Sequence, residues 1–209
     1  MNRLLAFGCS HTYGESLPDC LCGQPMPPPS RFAWPYLLAQ KLSLECVNHA
    51  ECGASNKEIH NKIVNTPIQK DDIVCILWTH TDRTCFLTED YPLQFMPSYA
   101  KKSKHNPKKR WQLNNMYYGF LHSVENSEFE TQLSIDHTYR YFKELNIANY
   151  HFTFDRKEKP ISSVLQKIPN WFSASLHNLE LLPDYGQDGE HPGLKAHHNL
   201  TAQIYEIIK

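Results

Sequence analysis

Two hydrophobic rhythms alternate along the 209 residues. Residues 3–9 (RLLAFGC) form a short, almost unbroken apolar run. A strand covered on both faces reads this way, because neither set of alternating side chains meets water. Residues 71–79 (DDIVCILWT) give the clearest such run, opened by two aspartates, and residues 45–49 (ECVNH) and 149–154 (NYHFTF) predict two more strands. Between the strands the period lengthens to that of a helix. Residues 34–44 place Trp34, Leu37, Leu38 and Leu42 on one face, with Pro35 in the first turn, where its missing N–H is tolerated. Residues 55–65 open with Ser55 and Glu58 at the spacing of a capping box. Residues 128–147 carry Ile135, Tyr139, Phe142 and Leu145 on one side. Residues 191–209 carry Leu194, Leu200, Ile204 and Ile207 or Ile208 in the same way. Strands alternating with helices predict an α/β fold, a three-layer α/β/α sandwich around a mainly parallel sheet.

The rest of the chain modifies this picture in two places. A proline-rich stretch, PDCLCGQPMPPPS, follows the first strand, and Pro27, Pro28 and Pro29 keep it out of helix. Residues 84–126 fit no βα unit and are expected to be an irregular insertion in one domain spanning 1–209. The insertion holds a basic run, AKKSKHNPKKRWQ, beside Trp111, Tyr117 and Tyr118, a composition able to bind nucleic acid. With a net charge of -1 the chain has no global field for a polyanion, so a solvated loop is the expectation and nucleic acid is not. No apolar run approaches the roughly 18 residues of a membrane span, so no membrane partner is expected. The N-terminal MNRLLAFGCSH is too short in apolar residues for a secretory signal, which points to the cytoplasm.

Seven cysteines is an odd number, and Cys9, Cys46, Cys75 and Cys85 sit in or beside apolar runs, as reduced thiols do. Cys20 and Cys22, with Cys52 and twelve histidines elsewhere, raise the question of zinc. Their C-x-C spacing is not that of common zinc sites and no second pair answers it, so neither metal nor cofactor is expected.

Ligands of open α/β sheets bind beyond the carboxyl ends of the strands. The polar residues there are Ser10 after the first strand, Asn48, Gly53, Ser55 and Asn56 after the second, and Thr79, His80, Thr81 and Asp82 after the third. Asp188 and His191 stand in DGEHP, near the start of the last helix. These are the parts of an acyl-transfer site. A serine hydroxyl needs a histidine as base, the histidine needs a carboxylate to orient it, and N–H donors must meet the charge that develops on the acyl oxygen.

FGCSHTYGE resembles the first block of the SGNH/GDSL hydrolases, with Gly8-Cys9-Ser10 standing for Gly-Asp-Ser. NHAECGASN resembles the second block, with Gly53 at the oxyanion glycine, and DGEHP resembles the last, Asp-x-x-His. The three blocks occur in the family's order. The resemblance implies the SGNH hydrolase fold with its flavodoxin-like sheet. It implies Ser10 as nucleophile, His191 as base, Asp188 as orienting acid, and the N–H groups of Ser10 and Gly53 as oxyanion donors. The implied substrate is a small ester, such as an O-acetyl group on a carbohydrate, and no cofactor is implied. The third block departs from the family. Where Gly-x-Asn-Asp is usual this chain has WTHTDR, so that Asp82 takes the aspartate's place and Thr81 the asparagine's, with His80 beside it. A threonine hydroxyl or an imidazole would then donate in place of an amide, and a missing oxyanion donor costs about 10²–10³ in turnover.

Blander readings of the same residues exist. Ser10 could cap a helix, Asp188 could complement a helix dipole, Gly53 could merely permit a turn, and His11 is a rival base beside Ser10. The alternative function is an SGNH-fold carbohydrate-binding or structural protein with little or no turnover.

Overall fold

The computed structural model describes residues 2–21, 27–89, 92–97, 108–154, 168–169, 171–174 and 184–209. Its centre is a five-stranded parallel sheet of β1 (Arg3–Phe7), β2 (Glu45–Asn48), β3 (Ile73–Trp78), β6 (Ala148–Phe154) and β7 (Trp171–Ala174), in the order β2-β1-β3-β6-β7. The chain crosses from β1 outward to β2 and returns to the other side of β1 at β3. This order is flavodoxin-like, and its switch point puts the ends of β1 and β3 beside one crevice.

Alternation along the strands divides the core in two. Leu4 and Ala6 of β1 face α2 (Trp34–Leu42) and α6 (Leu194–Ile208), packing with Trp34, Leu38, Leu200 and Ile204. Leu5 and Phe7 face the opposite way and join Ile59 and Ile63 of α3 (Asn56–Val64) with Ile135 and Phe142 of α5 (Val124–Leu145). Both faces are therefore covered, which accounts for the unbroken apolar runs of β1 and β3. A buried polar relay crosses one of these layers. Trp78 Nε1 donates to His151 Nδ1 at 3.0 Å, which leaves His151 Nε2 to donate to Asn149 Oδ1, also at 3.0 Å. The ring is neutral, and burial pushes its pKa down to about 3.

Several boundaries differ from the sequence reading. β1 ends at Phe7, two residues early, because the chain turns into a short helix, α1 (Ser10–Tyr13). α5 starts at Val124, where the Ser123 hydroxyl accepts from the Asn126 N–H at 3.0 Å. Its first turn is exposed and so carries no apolar period to reveal it. Leu145 and Leu194, placed by their spacing on the apolar faces of their helices, are 45% and 39% exposed. β7 had no expectation at all. The 84–126 segment has order of its own: an antiparallel pair, β4 (Thr84–Phe86) and β5 (Leu93–Phe95), then α4 (Lys108–Met116) and a π-helical turn at Tyr117–Leu121. Cys22 and the basic run through Pro107 lie outside the described residues, and with them one half of the C-x-C pair and most of the polyanion motif.

Among the described residues no helix is long and apolar enough to cross a membrane. The six described cysteines carry no disulfide.

Candidate active site

Ser10 is the first residue of α1, just beyond β1, and is 3% exposed. Cys9 holds the N-cap position and no side chain caps the helix, so the hydroxyl of Ser10 is not used as a cap. Its carbonyl accepts from the N–H groups of Gly14 (2.9 Å) and Glu15 (3.1 Å), which closes a tight turn around the side chain.

The loop bearing Asp188 and His191 docks onto that turn. The N–H of Gln187 donates to the Ser16 carbonyl at 3.0 Å. Gly186 lies so close to Ser16 that a Cβ there would meet its backbone at 2.8 Å. Within the loop, Asp188 Oδ1 accepts from the N–H groups of Glu190 and His191, each at 3.0 Å, and Oδ2 meets His191 Nδ1 at 2.5 Å. Burial alone would push the Asp188 pKa up. The two N–H groups, the Ser16 hydroxyl and the His191 ring outweigh it and hold the carboxyl well below the usual carboxylate range. Asp188 is thus built to be an anion that grips one nitrogen of His191. It does not serve α6: that helix is capped at Gly193, and Asp184 Oδ2 accepts from the Ala196 N–H at 2.9 Å.

His191 Nε2, the nitrogen that would serve Ser10, faces Glu15 Oε2 at 3.3 Å, and no hydrogen bond joins it to Ser10 Oγ. His11 stands edge-to-face against the His191 ring, with centroids 5.5 Å apart. Glu15 had no place in the sequence reading, although it lies within the first block; only the fold reveals that it meets His191.

The second and third blocks close the crevice. Asn48 Nδ2 donates to the Thr12 carbonyl at 2.8 Å, tying the end of β2 to α1. Gly53 has φ +77°, a left-handed conformation suited to glycine, and an added Cβ would meet Met96 Cε at 2.7 Å and Gln94 Oε1 at 2.8 Å. Gln94 also donates to the Cys52 carbonyl at 3.2 Å, so β5 of the insertion buttresses the Gly53 turn. Asn56 grips Thr79 from both sides, accepting from its N–H at 2.8 Å and donating to its carbonyl at 3.1 Å. His80 and Thr81, both half-buried, follow directly, and the loop is held at its far end by Tyr118, whose hydroxyl donates to the Asp82 carbonyl at 2.5 Å.

Behind the Gly53 turn lies a cavity of about 370 Å³, lined by His49, Glu51, Glu58, Asn61 and Lys62 among others. Glu58 is 4% exposed, and Gln94 Nε2 donates to both its oxygens, at 3.1 and 3.2 Å. Burial, reinforced by Glu51, pushes its pKa up to about 7. A carboxyl raised in this way stabilises the fold fully below its unfolded pKa, and the contribution is lost as pH rises through 7. Glu58→Gln should therefore gain stability over the wild type by about 2–3 kcal/mol between pH 5 and pH 8. Urea unfolding of both proteins at the two pH values measures this; an equal difference at both would remove the buried-acid account.

Among the described residues no group of three or more His, Cys, Asp or Glu side chains is arranged to hold a metal ion.

Sequence comparison matches no family model and no curated protein. Solved structures do match. A G-D-S-L family protein from Desulfitobacterium hafniense DCB-2, described as lipolytic, is 10% identical with a TM-score of 0.56 over 99% of each chain. The psychrotrophic esterase EstA from Pseudoalteromonas sp. is 12% identical with a TM-score of 0.54, over 100% of this chain and 97% of that one. The acetyl xylan esterase Est2A from the rumen bacterium Butyrivibrio proteoclasticus is 11% identical with a TM-score of 0.60, over 98% of this chain and 63% of its own. The chain spans just under two thirds of the length of Est2A and of two other carbohydrate esterases that it matches. It has the fold of the SGNH/GDSL hydrolases.

Proposed function

We propose that the protein is a serine hydrolase acting on a small ester, with an O-acetyl group on a carbohydrate as the substrate class. The observation that carries this reading is the Asp188–His191 pair, 2.5 Å apart and docked on the turn that opens with Ser10. An anionic Asp188 fixes Nδ1 as the protonated nitrogen of a neutral ring, which leaves Nε2 as the lone pair that accepts a proton. Ser10 Oγ attacks the ester carbonyl carbon as its proton passes to Nε2, and that proton then goes to the departing alcohol oxygen. Water attacks the acyl-serine in the same way, returning the Ser10 proton and releasing the acid. The N–H groups of Ser10 and Gly53 carry the developing oxyanion, with Thr81 or His80 as the side-chain donor.

The fold neighbours named as carbohydrate and acetyl xylan esterases favour the acetyl-carbohydrate class. Two observations favour the second reading, a binding protein on the same fold. Nε2 is turned to Glu15, and a threonine stands in the asparagine's place.

A fluorophosphonate separates the two without knowledge of the substrate. Oγ displaces fluoride from phosphorus only where the serine proton has a base to go to. The expected result is one adduct, mapped to Ser10 and absent in His191→Ala. Folded wild-type protein that gains no adduct at any pH between 6 and 9 overturns the hydrolase reading and leaves the binding protein.

A further inference from the structure

Residues Glu51 to Ala54 make a β-turn, closed by the Ala54 N–H donating to the Glu51 carbonyl at 3.2 Å. Gly53, the third residue of the turn, has φ +77°, the backbone of a type II turn. Types I and II differ by a half rotation of the central peptide, here the one that joins Cys52 to Gly53. A trans peptide carries its carbonyl and its N–H on opposite sides. The direction of the Gly53 N–H is therefore set by whatever holds the Cys52 carbonyl.

Gln94 holds it. Its Nε2 donates to the Cys52 carbonyl at 3.2 Å and to the two oxygens of Glu58 at 3.1 and 3.2 Å, while Arg110 Nη2 lies 3.5 Å from its Oε1. A backbone carbonyl only accepts, which fixes the end of the amide that faces the turn. Gln94 stands in the middle of β5, opposite Cys85 of β4, and Met96 just beyond it donates its N–H to the buried Asn114 Oδ1 at 3.1 Å. The side chain is thus fixed at its root by the insertion and at its tip by Glu58 of α3. The turn itself starts from the strand that carries the nucleophile, since the Glu51 N–H donates to the Gly8 carbonyl at 3.2 Å. Among the described residues no acceptor takes the Gly53 N–H.

We infer that Gln94 is a positioning residue: it pins the Cys52–Gly53 peptide in the type II orientation and so aims the Gly53 N–H away from β5 and into the crevice. The inference rests on the hydrolase reading for Gly53 as an oxyanion donor, but the pin itself is a property of the turn. Without the amide the type I orientation competes, because glycine enters negative φ as readily as positive. The flipped peptide presents a carbonyl oxygen where the donor stood, and that oxygen repels a developing oxyanion. One hydrogen bond of this kind shifts such a balance by about five- to tenfold.

The test compares wild type with Gln94→Met, which keeps the length of the side chain, and with Gln94→Leu; neither offers an N–H. Two readouts are taken on the intact chain. The nuclear Overhauser effect from Cys52 Hα to the Gly53 N–H is strong in a type II turn and weak once the peptide flips, and it needs no substrate. Fluorophosphonate labelling of Ser10 at pH 8 draws on the same donor, because charge builds on the phosphonyl oxygen as Oγ attacks. The expected result is a weaker Overhauser effect in each folded variant. Labelling should slow about five- to tenfold, short of the roughly 10²–10³ that outright loss of a donor costs. An unchanged Overhauser effect in a folded variant overturns the pin. A weakened effect with labelling as fast as in the wild type leaves the hydrolase reading standing while the positioning role falls. A weakened effect with no labelling of any protein, wild type included, upholds the pin and overturns the hydrolase reading.

Discussion

Ser10→Ala is expected to bring ester turnover down to the rate without enzyme, a fall on the order of 10⁴- to 10⁶-fold in kcat, while leaving the unfolding midpoint almost unmoved. The two halves of this expectation come from the same local structure. Ser10 Oγ makes no hydrogen bond among the described residues, so its removal leaves no partner stranded. The carbonyl that holds the turn closed, accepting from Gly14 and Glu15, is untouched. Alanine is moreover a good residue for the first turn of a helix. The stability change should stay within about 1 kcal/mol. Turnover has no such protection, because on the proposed reading Ser10 Oγ is the attacking atom, and the neighbouring hydroxyl of the turn, Thr12, is 0% exposed. Cys9, one residue earlier, is 0% exposed in the core beneath the sheet's edge. A double variant, Ser10→Ala with His191→Ala, should fall no further than the single one, since nucleophile and base act as a unit. Measured turnover that survives in Ser10→Ala, with the protein pure and folded, would assign the chemistry to another residue.

How much of this was legible in the sequence depends on the range of the interaction concerned. β1 and β3 are visible because burial on both faces removes polar residues from the run, and that signal is local. α3 is visible because Ser55 and Glu58 lie in one turn, and the structure has the Ser55 hydroxyl accepting from the Glu58 N–H at 3.3 Å. Asp188 and His191 are legible together because their contact is closed within four residues. Glu15 is not, since its partner is 176 positions away in sequence, the difference between residues 191 and 15. Glu58 misleads in an instructive way. It has the sequence spacing of a capping acid exposed on a helix, yet the fold buries it beneath Gln94.

The insertion shows the same limit. β4 and β5 are three residues each, too short for a period to declare itself. Their role lies in what they touch: Gln94 and Met96 press on Gly53, and Phe95 packs against Phe86 and Tyr117. The segment that fits no βα unit is therefore the one that shapes the wall of the crevice next to the Gly53 turn. Substrate choice on a common fold resides in such walls.

Acidification should unfold the protein earlier than its carboxylates alone would require, and the cause is two histidines held neutral in the core. Burial pushes His151 down to about 3 and His197 down to about 4, and both are 0% exposed. The His197 ring is tied in place by Nδ1, which accepts from the Trp34 N–H at 3.2 Å. In the unfolded chain each ring binds a proton near pH 6.5. The native pKa is depressed, and for a histidine this means that the folded state binds the proton late. Stability is therefore unaffected above about pH 6.5 and falls below it until the native pKa is reached, at about 1.4 kcal/mol per pH unit for each ring. Glu58 works against them. Its native pKa, about 7, lies above its unfolded value, so its contribution grows as pH falls from 7 toward 4.5. Two histidines less one glutamic acid leave a net loss of about 1.4 kcal/mol per unit between pH 6.5 and 4.5. Below 4.5 the Glu58 contribution is complete and the loss steepens, joined by Asp188 as its carboxylate is protonated. The loss by pH 3 to 4 comes to about 4–6 kcal/mol, enough to unfold in that range a protein at the low end of the usual 5–15 kcal/mol of stability. Glu58→Gln removes the opposing acid, so its stability should fall about twice as fast with pH over that interval, at about 2.7 kcal/mol per unit. Urea unfolding of both proteins at half-unit steps from pH 7 to pH 4.5 measures the two slopes. Equal slopes would mean that Glu58 is ionised within the fold as it is outside it, and a Glu58→Gln variant insensitive to pH across that interval would mean that His151 and His197 are protonated within the fold.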